Sequence, residues 1–571
     1  MVRFNQHRIR WRIIPQDKDR QALISREFDM SQLAAQILIN RGYTDLDTIH
    51  NFLRPELNDL FNPFLMKDME KVVLRLKTAS EKHEKVMIYG DYDVDGITSI
   101  VMLINLFKLL KIKPFYYVPN RQKEGYGIKH GIFDKAKNFG VSLIITADCG
   151  ITALQETEYA NKLGMQVIIT DHHEPGPKLP DASAVVNPLR HDCYYPDKNL
   201  AGCGIIFKLI QGIKSKFRLN FTLNPYLELT ALGTVADVAK LIGENRIIVK
   251  KGLYLLSNTK NHGLNALKSI LNLSGKRITS EDIGFKIGPR LNAAGRLDDA
   301  DLAIKLLLAK SMKTAMQLAY QLEEKNSRRQ KFQMQIFKEA ESILRQEPHY
   351  RKDKFIVIAK QGWHKGVIGI VASKFAEKYL LPALVISLEK NIGYGSARSL
   401  PEFNLYDSIQ QVSTHLIQFG GHKMAAGLLI KKDEIPVVRK LLNHLSEDFY
   451  RGKYPIKTLD IDAMIKLSVI NNQLIQELRM FSPFGNGNPR PLFAVKALKV
   501  INYPKVIKEK HLLIELTDNS DRFQAFGYNL WRYFDMVKRD NALVDTAFIP
   551  DTIFKDHREV IQLKIKDIRI Y

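Results

Sequence analysis

Three short runs of β-branched and apolar residues each stop at acids or histidines: "VMIYGDYDVDG" at 86–96, "LIITADCG" at 143–150 and "VIITDHHEP" at 167–175. Runs this short, bounded by Gly and Asp, read as buried strands. The segments between them, "TSIVMLINLFKLLK" and "ALQETEYANKLG", read as helices. Strand and helix in alternation predict an α/β unit with a parallel sheet. Such sheets carry their sites beyond the carboxyl ends of the strands. Asp91, Asp93, Asp95, Asp148 and Asp171 then fall on one sheet edge, together with His172 and His173. Carboxylates gathered without a cation each raise the pKa of the next. A pair of dications resolves that conflict. Oxygen ligands with one or two imidazoles suit manganese or magnesium better than zinc.

The first run ends in a D-x-D-x-D-G turn. Alternate residues of an extended segment point the same way, so two or three of its carboxylates can reach one metal pair. Gly96 permits a sharp turn into a helix beginning near Ile97. An EF-hand loop begins similarly, but its later Glu and its helix-loop-helix frame are missing. Asp237, in "LGTVADVAKL", follows an apolar helix-like stretch. Its spacing alone makes it only a weak candidate.

At 571 residues the chain should divide into about two to four domains. Helical patterns fill 1–80, and the α/β unit spans 81–240. A helical connector occupies 241–350, with no Gly or Pro from Asp301 to Glu347. That stretch predicts a long helix or a helical pair, stopped at Pro348. "KFIVIAK" opens a second α/β unit over 351–455. In 456–571 the pattern turns to strands, as in "VIQLKIKDIRIY", and predicts a small β-barrel of the OB type that binds single strands.

A composition of 45% hydrophobic and 26% charged residues is that of a soluble globular protein. No apolar run approaches the roughly 20 residues of a membrane helix. The basic "MVRFNQHRIRWRIIPQ" has no core of signal-peptide length. Cys149, Cys193 and Cys203 form no CxxC pair, which argues against zinc ribbons and a disulfide framework and fits a reducing cytoplasm. The net charge of +24 points to a polyanionic partner, most often nucleic acid. ATP hydrolysis is not expected, because no Walker-type GxxxxGK[ST] occurs. "GYGIKHG" lacks the spacing of a dinucleotide fingerprint.

Taken together, "GDYDVDG", "TADCG", "TDHHEP" and "GTVADV" resemble the DHH phosphoesterase superfamily. Within it the chain is similar to the bacterial family of single-strand-specific 5′ to 3′ DNA exonucleases. The resemblance runs over nearly the whole length, through "FLRPELNDLFNPFLMKDME", "PNRQKEGYGIK", "GPRLNAAGRLDDA", "GSARS", "GGHKMAAG" and "PFGNGNPRPLF". It implies an α/β fold: a parallel-sheet DHH domain and a DHH-associated α/β domain joined by a long helix, then an OB-like barrel. It implies Asp93, Asp95, Asp148, His172 and Asp237 as ligands of two manganese or magnesium ions, with Asp148 bridging. Asp91 would be a further ligand or an acid behind them. Asp171 would orient a histidine, and His173 would contact the scissile phosphate.

The same resemblance makes Arg121, Tyr126, Ser396 and Arg398 a cradle for the 5′ end of DNA. Arginine forks grip phosphate, and an aromatic ring stacks on a base. Arg290 and Arg296 would touch the strand's backbone, and His422 would belong to a phosphate-handling turn. The implied activity is two-metal hydrolysis of single-stranded DNA in recombination and repair. The implied setting is a cytoplasmic monomer, away from membranes, beside a RecQ-type helicase and a single-strand-binding protein. Superfamily members that cleave pyrophosphate, cyclic dinucleotides or very short oligonucleotides are shorter and lack the barrel. Degenerate relatives that serve as scaffolds have lost acids, and none of the motif acids is lost here.

Overall fold

In the computed structural model, which describes residues 9–120, 128–297, 300–347, 350, 352–451, 455–539, 542–556 and 558–571, the three acid-ended runs are strands. They span Lys85–Gly90, Val141–Ala147 and Gln166–Thr170. Both faces are covered, so the strands are buried almost throughout. Alternation sends Val86, Ile88, Leu143 and Ile145 into one core and Met87, Tyr89 and Ile144 into another. Helices Val94–Leu109, Gly202–Lys216 and Asn224–Ala236 cover the first face; His130–Asn138 and Leu154–Lys162 cover the second.

With Lys113–Tyr117 and Ala184–Val186 the sheet has five strands, all parallel. Lys113–Tyr117 flanks Lys85–Gly90 on one side and Val141–Ala147 flanks it on the other, followed outward by Gln166–Thr170 and Ala184–Val186. The direction of winding therefore reverses between Lys85–Gly90 and Val141–Ala147. That crevice is where open α/β sheets hold ligands, and Asp91 and Asp148 leave the two strands that form it.

The stretch 301–347 is a helical pair, Asp301–Leu307 and the 35-residue Met312–Gln346. Ser311 separates them by capping the second, its hydroxyl accepting the Thr314 N–H. The buried stripe of the long helix joins two cores. Ala315, Ala319 and Leu322 pack with the sheet's core, and Ile336, Ala340 and Leu344 with the core around helix Lys365–Tyr379. Beyond it lies a second sheet in the order Gln418–His422, Ala425–Lys431, Ile392–Arg398, Ala383–Glu389 and Ile356–Gln361, with only the last pair parallel.

The chain divides into two compact units, Leu60–Ile456 and Arg8–Asp59 with Lys457–Tyr571. The helical region expected over 1–80 is thus shared between them. Helices Lys18–Phe28, Gln32–Asn40 and Leu46–Leu53 place Ile24, Ile37 and Ile49 in one core with Leu498, Ile514 and Phe548. Arg10–Ile13 pairs with Thr458–Ile461, and Arg41 lies 3.3 Å from Asp462. Helix Met69–Glu81 instead gives Val72, Val73 and Leu76 to the parallel sheet's core. Helical periodicity marks the buried face and not the core that receives it.

Five strands of the second unit close on themselves, Phe493–Ile507, His511–Thr517, Arg522–Gly527, Arg558–Ile570 and Leu543–Lys555, the last pairing again with the first. This is the expected barrel. Among the described residues no helix is long and apolar enough to cross a membrane. The three cysteines are free and buried.

Candidate metal centre

The D-x-D-x-D-G turn is not extended throughout, because a helix begins at Val94. Asp93 caps it, Oδ1 accepting the N–H of Asp95 (3.0 Å) and Gly96 (3.1 Å). A Cβ at position 96 would lie 2.4 Å from the Asp91 carbonyl oxygen, so only glycine closes this turn. The helical start sends Asp95 away from its two neighbours. Asp91, Asp93 and Asp148 bring ligand atoms within 4.8 Å of one another; Asp95, His172 and Asp237 do the same. The three acids of the motif thus divide between two clusters, and Asp91 stands beside Asp93 in one of them.

His172 Nε2 lies 3.1 Å from Asp148 Oδ1, 3.7 Å from Asp95 Oδ2 and 3.9 Å from Asp237 Oδ2. Neither His172 Nε2 nor the buried Asp148 Oδ1 has a hydrogen-bond partner among the described residues. Burial, opposed by Asp95, lowers the His172 pKa and keeps the imidazole neutral. Burial and then Asp95 and Asp93 drive Asp148 well above the carboxylate range. Burial and then Asp95 raise Asp93. Asp237, at the end of helix Asn224–Ala236, is pushed up to about 9 by burial, then Asp95 and Asp93. Buried acceptors left unpaired are costly. Oxygens with one neutral imidazole are the donor set of a hard divalent cation, so these residues fit manganese or magnesium.

Asp95 is nearly inaccessible and is steadied from outside the motif. Its oxygens accept the N–H of Gly202 and of Cys203, each at 2.7 Å, in the first turn of Gly202–Lys216. Those N–H groups have no helical partner and carry the positive end of the helix dipole. A Cβ at Gly202 would lie 2.7 Å from the Asp148 Cβ, so glycine is needed here too.

Asp171 orients His173, whose Nδ1 lies 2.7 Å from Oδ1. Oδ1 also accepts the backbone N–H of His172 and His173, and Oδ2 that of Ile151. Burial disfavours the charged His173 ring, but Asp171 outweighs burial, and the pKa rises to about 9. Asn187 Nδ2 donates to the His173 carbonyl at 2.8 Å. The His422 ring, from strand Gln418–His422 of the second sheet, stacks on His173 with centroids 6.1 Å apart and planes 14° apart.

Ser396 and Arg398 lie two apart on one strand and so share a face. Arg398 Nη1 donates to Ser396 Oγ at 3.2 Å. Gly369 of the covering helix sits directly against both. Arg290 is engaged with Glu323, at 2.5 and 3.2 Å, and with the Lys286 carbonyl. Arg296 ends helix Gly288–Leu297, its carbonyl packed against Gly366. Arg121 and Tyr126 lie outside the described residues.

Sequence reasoning missed three positioning groups: the Gly202–Cys203 amides, Asn187 and Asn292. Asn292 Oδ1 accepts the Val94 N–H at 3.1 Å, which ties helix Gly288–Leu297 to the turn of acids. The only signal was its place inside "GPRLNAAGR".

The DHH family, N-terminal domain, matches residues 85–234; the DHHA1 domain matches 352–448 and the RecJ OB domain 461–567. The single-stranded-DNA-specific exonuclease RecJ of Bacillus subtilis is 38% identical over 528 residues, 91% of this chain and 66% of that protein. The chain therefore spans a little under two thirds of that relative's length. The RecJ of Haemophilus influenzae is 31% identical over 535 residues, 90% of each chain. The crystal structure of RecJ from Thermus thermophilus in complex with Mn2+ superposes with a TM-score of 0.84 at 26% identity, covering 98% of this chain and 80% of that one. By its three domains and its full-length relatives, the chain belongs to the RecJ family of single-stranded-DNA-specific exonucleases.

Proposed function

We propose that this chain is a metal-dependent exonuclease that hydrolyses single-stranded DNA from the 5′ end by a two-metal mechanism, in recombination and repair. The observation that carries the reading is a pair of ligand clusters at the sheet's switch crevice, one of them holding Asp148, whose Oδ1 also lies 3.1 Å from a ligand atom of the other. Asp91, Asp93 and Asp148 would hold one manganese or magnesium ion; Asp95, Asp148, His172 and Asp237 would hold the other. Such a pair supplies an activated water and neutralises charge on the phosphoryl oxygens.

The remaining steps belong to the side chains. His173, kept cationic by Asp171, donates to a phosphate oxygen as negative charge builds there. His422 closes the same pocket from the second sheet. Ser396 and Arg398, with Arg121 and Tyr126, receive the terminal phosphate and first base, which fixes the direction of digestion. The cleft between the two α/β units admits one strand and excludes a duplex. We draw the catalytic domain at 81–240, the connector at 241–350, the DHH-associated domain at 351–455 and the barrel at 456–571. The setting we propose is a cytoplasmic monomer working beside a RecQ-type helicase and a single-strand-binding protein.

The barrel suits strand binding. Tyr503, Tyr528 and Trp531 stand exposed, and His511 stacks on Tyr528 with centroids 4.4 Å apart. The test is a time course with Mn2+ on strands labelled at either end, with and without a 5′ phosphate, beside a blunt duplex. Release from the 5′ end of single strands, faster with the phosphate, is expected. Release from the 3′ end, or equal digestion of the duplex, would reject the anchor and the narrow cleft.

A further inference from the structure

A helix that bridges two cores needs an apolar buried stripe, and Met312–Gln346 has one at both ends but not in the middle. Between Leu322 and Ile336 the stripe reads Asn326, Arg329, Gln333. Asn326 is fully buried, and Arg329 is only 9% exposed. Arg329 Nε and Nη2 donate to Asn326 Oδ1 at 3.3 and 2.9 Å, and Nη1 donates to Gln333 Oε1 at 3.2 Å. All the acceptors are neutral amides. Among the described residues no carboxylate pairs with Arg329, and the buried Asn326 Nδ2 finds no acceptor.

A cation buried this deeply ordinarily has an acid beside it. Glu323, nearly two turns earlier, is already engaged by Arg290. After burial, Arg290, itself paired with Glu323, lowers the Arg329 pKa; burial and then Arg329 lower Lys374, which Glu377 opposes. Among the described residues Arg329 thus has no counter-charge of its own. The spare Asn326 donor and the uncompensated Arg329 charge complement an oxyanion of phosphate type.

We infer that Asn326 and Arg329, with Lys374 at the rim, form a phosphate-binding site on the connecting helix. The phosphate is either a backbone group of the bound strand, which would rest on the nuclease reading, or a free phosphate, which would not.

The test uses the full chain with metal chelated, so that no strand is cut. Melting temperature is followed with added inorganic phosphate, and affinity for a fluorescent oligothymidylate by anisotropy. The variants are Arg329→Gln and the isosteric Asn326→Asp, which supplies the missing anion from within the helix. Asn326→Asp is expected to melt higher than wild type and to lose the anion response. Arg329→Gln is expected to lose that response without losing stability in phosphate-free buffer.

Stabilisation by phosphate that both variants abolish, at unchanged oligonucleotide affinity, identifies a free-phosphate site. Oligonucleotide affinity that falls on the order of tenfold in both, with no effect of phosphate, identifies a strand contact. Two results overturn the proposal. In one, Asn326→Asp folds and matches wild type in both assays. In the other, Arg329→Gln loses stability equally with and without phosphate while Asn326→Asp keeps the wild-type anion response, which makes Arg329 a structural strut. Cleavage enters neither assay, so failure here leaves the nuclease reading to its own test.

Discussion

Asp148 and Asp171 are both almost wholly buried, yet their charges are handled in opposite ways. Burial raises a carboxyl pKa, but at Asp171 the His173 ring and backbone donors outweigh it and hold the pKa low. Among the described residues nothing donates a hydrogen bond to Asp148 Oδ1, which stands among other acids and so calls for a cation from outside. Asp148→Asn should therefore lower cleavage by more than roughly 100-fold in metal-replete buffer, since losing an outer partner alone costs about 10–100-fold. DNA binding and melting temperature should persist, and near-wild-type turnover would reject the ligand assignment. Asp171→Asn should cost stability instead, about 1–3 kcal/mol, because an amide NH2 must then face a donor; urea unfolding measures it.

The raised groups also set a pH slope. In the metal-free protein Asp93, Asp148, Asp237 (about 9) and His173 (about 9) hold protons that the unfolded chain gives up at lower pH. The folded state binds more protons, so its stability should fall as pH rises from about 4 to about 9. Mn2+ should displace those protons and flatten the slope, which melting curves in chelator and in Mn2+ can compare. Identical slopes would contradict the cluster. Asp93 and Asp148 were legible in the sequence because each follows a strand, whereas Asp237, at a helix end, was a weak candidate until the family resemblance named it. The Gly202 and Cys203 amides were not legible, since they come from a helix start 107 and 108 residues beyond Asp95 and look like any other.

At the scale of elements, the parallel strands were plain in the sequence, but the helix that steadies their acids was not. Gly288–Leu297 sits against the acid turn on one side and helix Lys365–Tyr379 on the other. A Cβ on Gly295 would lie 2.6 Å from the Tyr92 carbonyl, and one on Gly366 1.9 Å from the Arg296 carbonyl. Contacts of backbone on backbone leave no side-chain signature beyond a glycine, which is why the pattern of apolar residues passes over them. Asn292→Ala removes the acceptor for the Val94 N–H and should weaken Mn2+ binding by about tenfold, read by titration calorimetry, while the fold survives. Gly295→Ala forces the helix off the turn, at a cost of about 1–3 kcal/mol and a loss of cleavage. Wild-type metal affinity in Asn292→Ala would show that the turn holds its shape unaided.

At the scale of the whole chain, a formal charge of +24 contrasts with a candidate site made of acids. On the proposed function the acids would gather cations for chemistry, whereas the basic residues would gather the polyanion from a distance, an interaction that salt screens. Length of substrate should separate them. A long single strand can neutralise many Lys and Arg residues and stack on the barrel's exposed rings; a di- or trinucleotide can only occupy the cleft. Raising salt from about 50 to 200 mM should weaken binding of a long oligothymidylate on the order of a hundredfold, because each neutralised phosphate releases counterions. The shortest substrates should change far less. Tyr528→Ala and Trp531→Ala should each weaken the long strand by about 1–3 kcal/mol through lost stacking and leave trinucleotide cleavage unchanged. Anisotropy titrations at several salt concentrations, paired with trinucleotide cleavage rates, give both readings. Equal salt slopes for long and short substrates, or a trinucleotide rate that falls with Tyr528→Ala, would mean that barrel and surface charge do not extend the binding site.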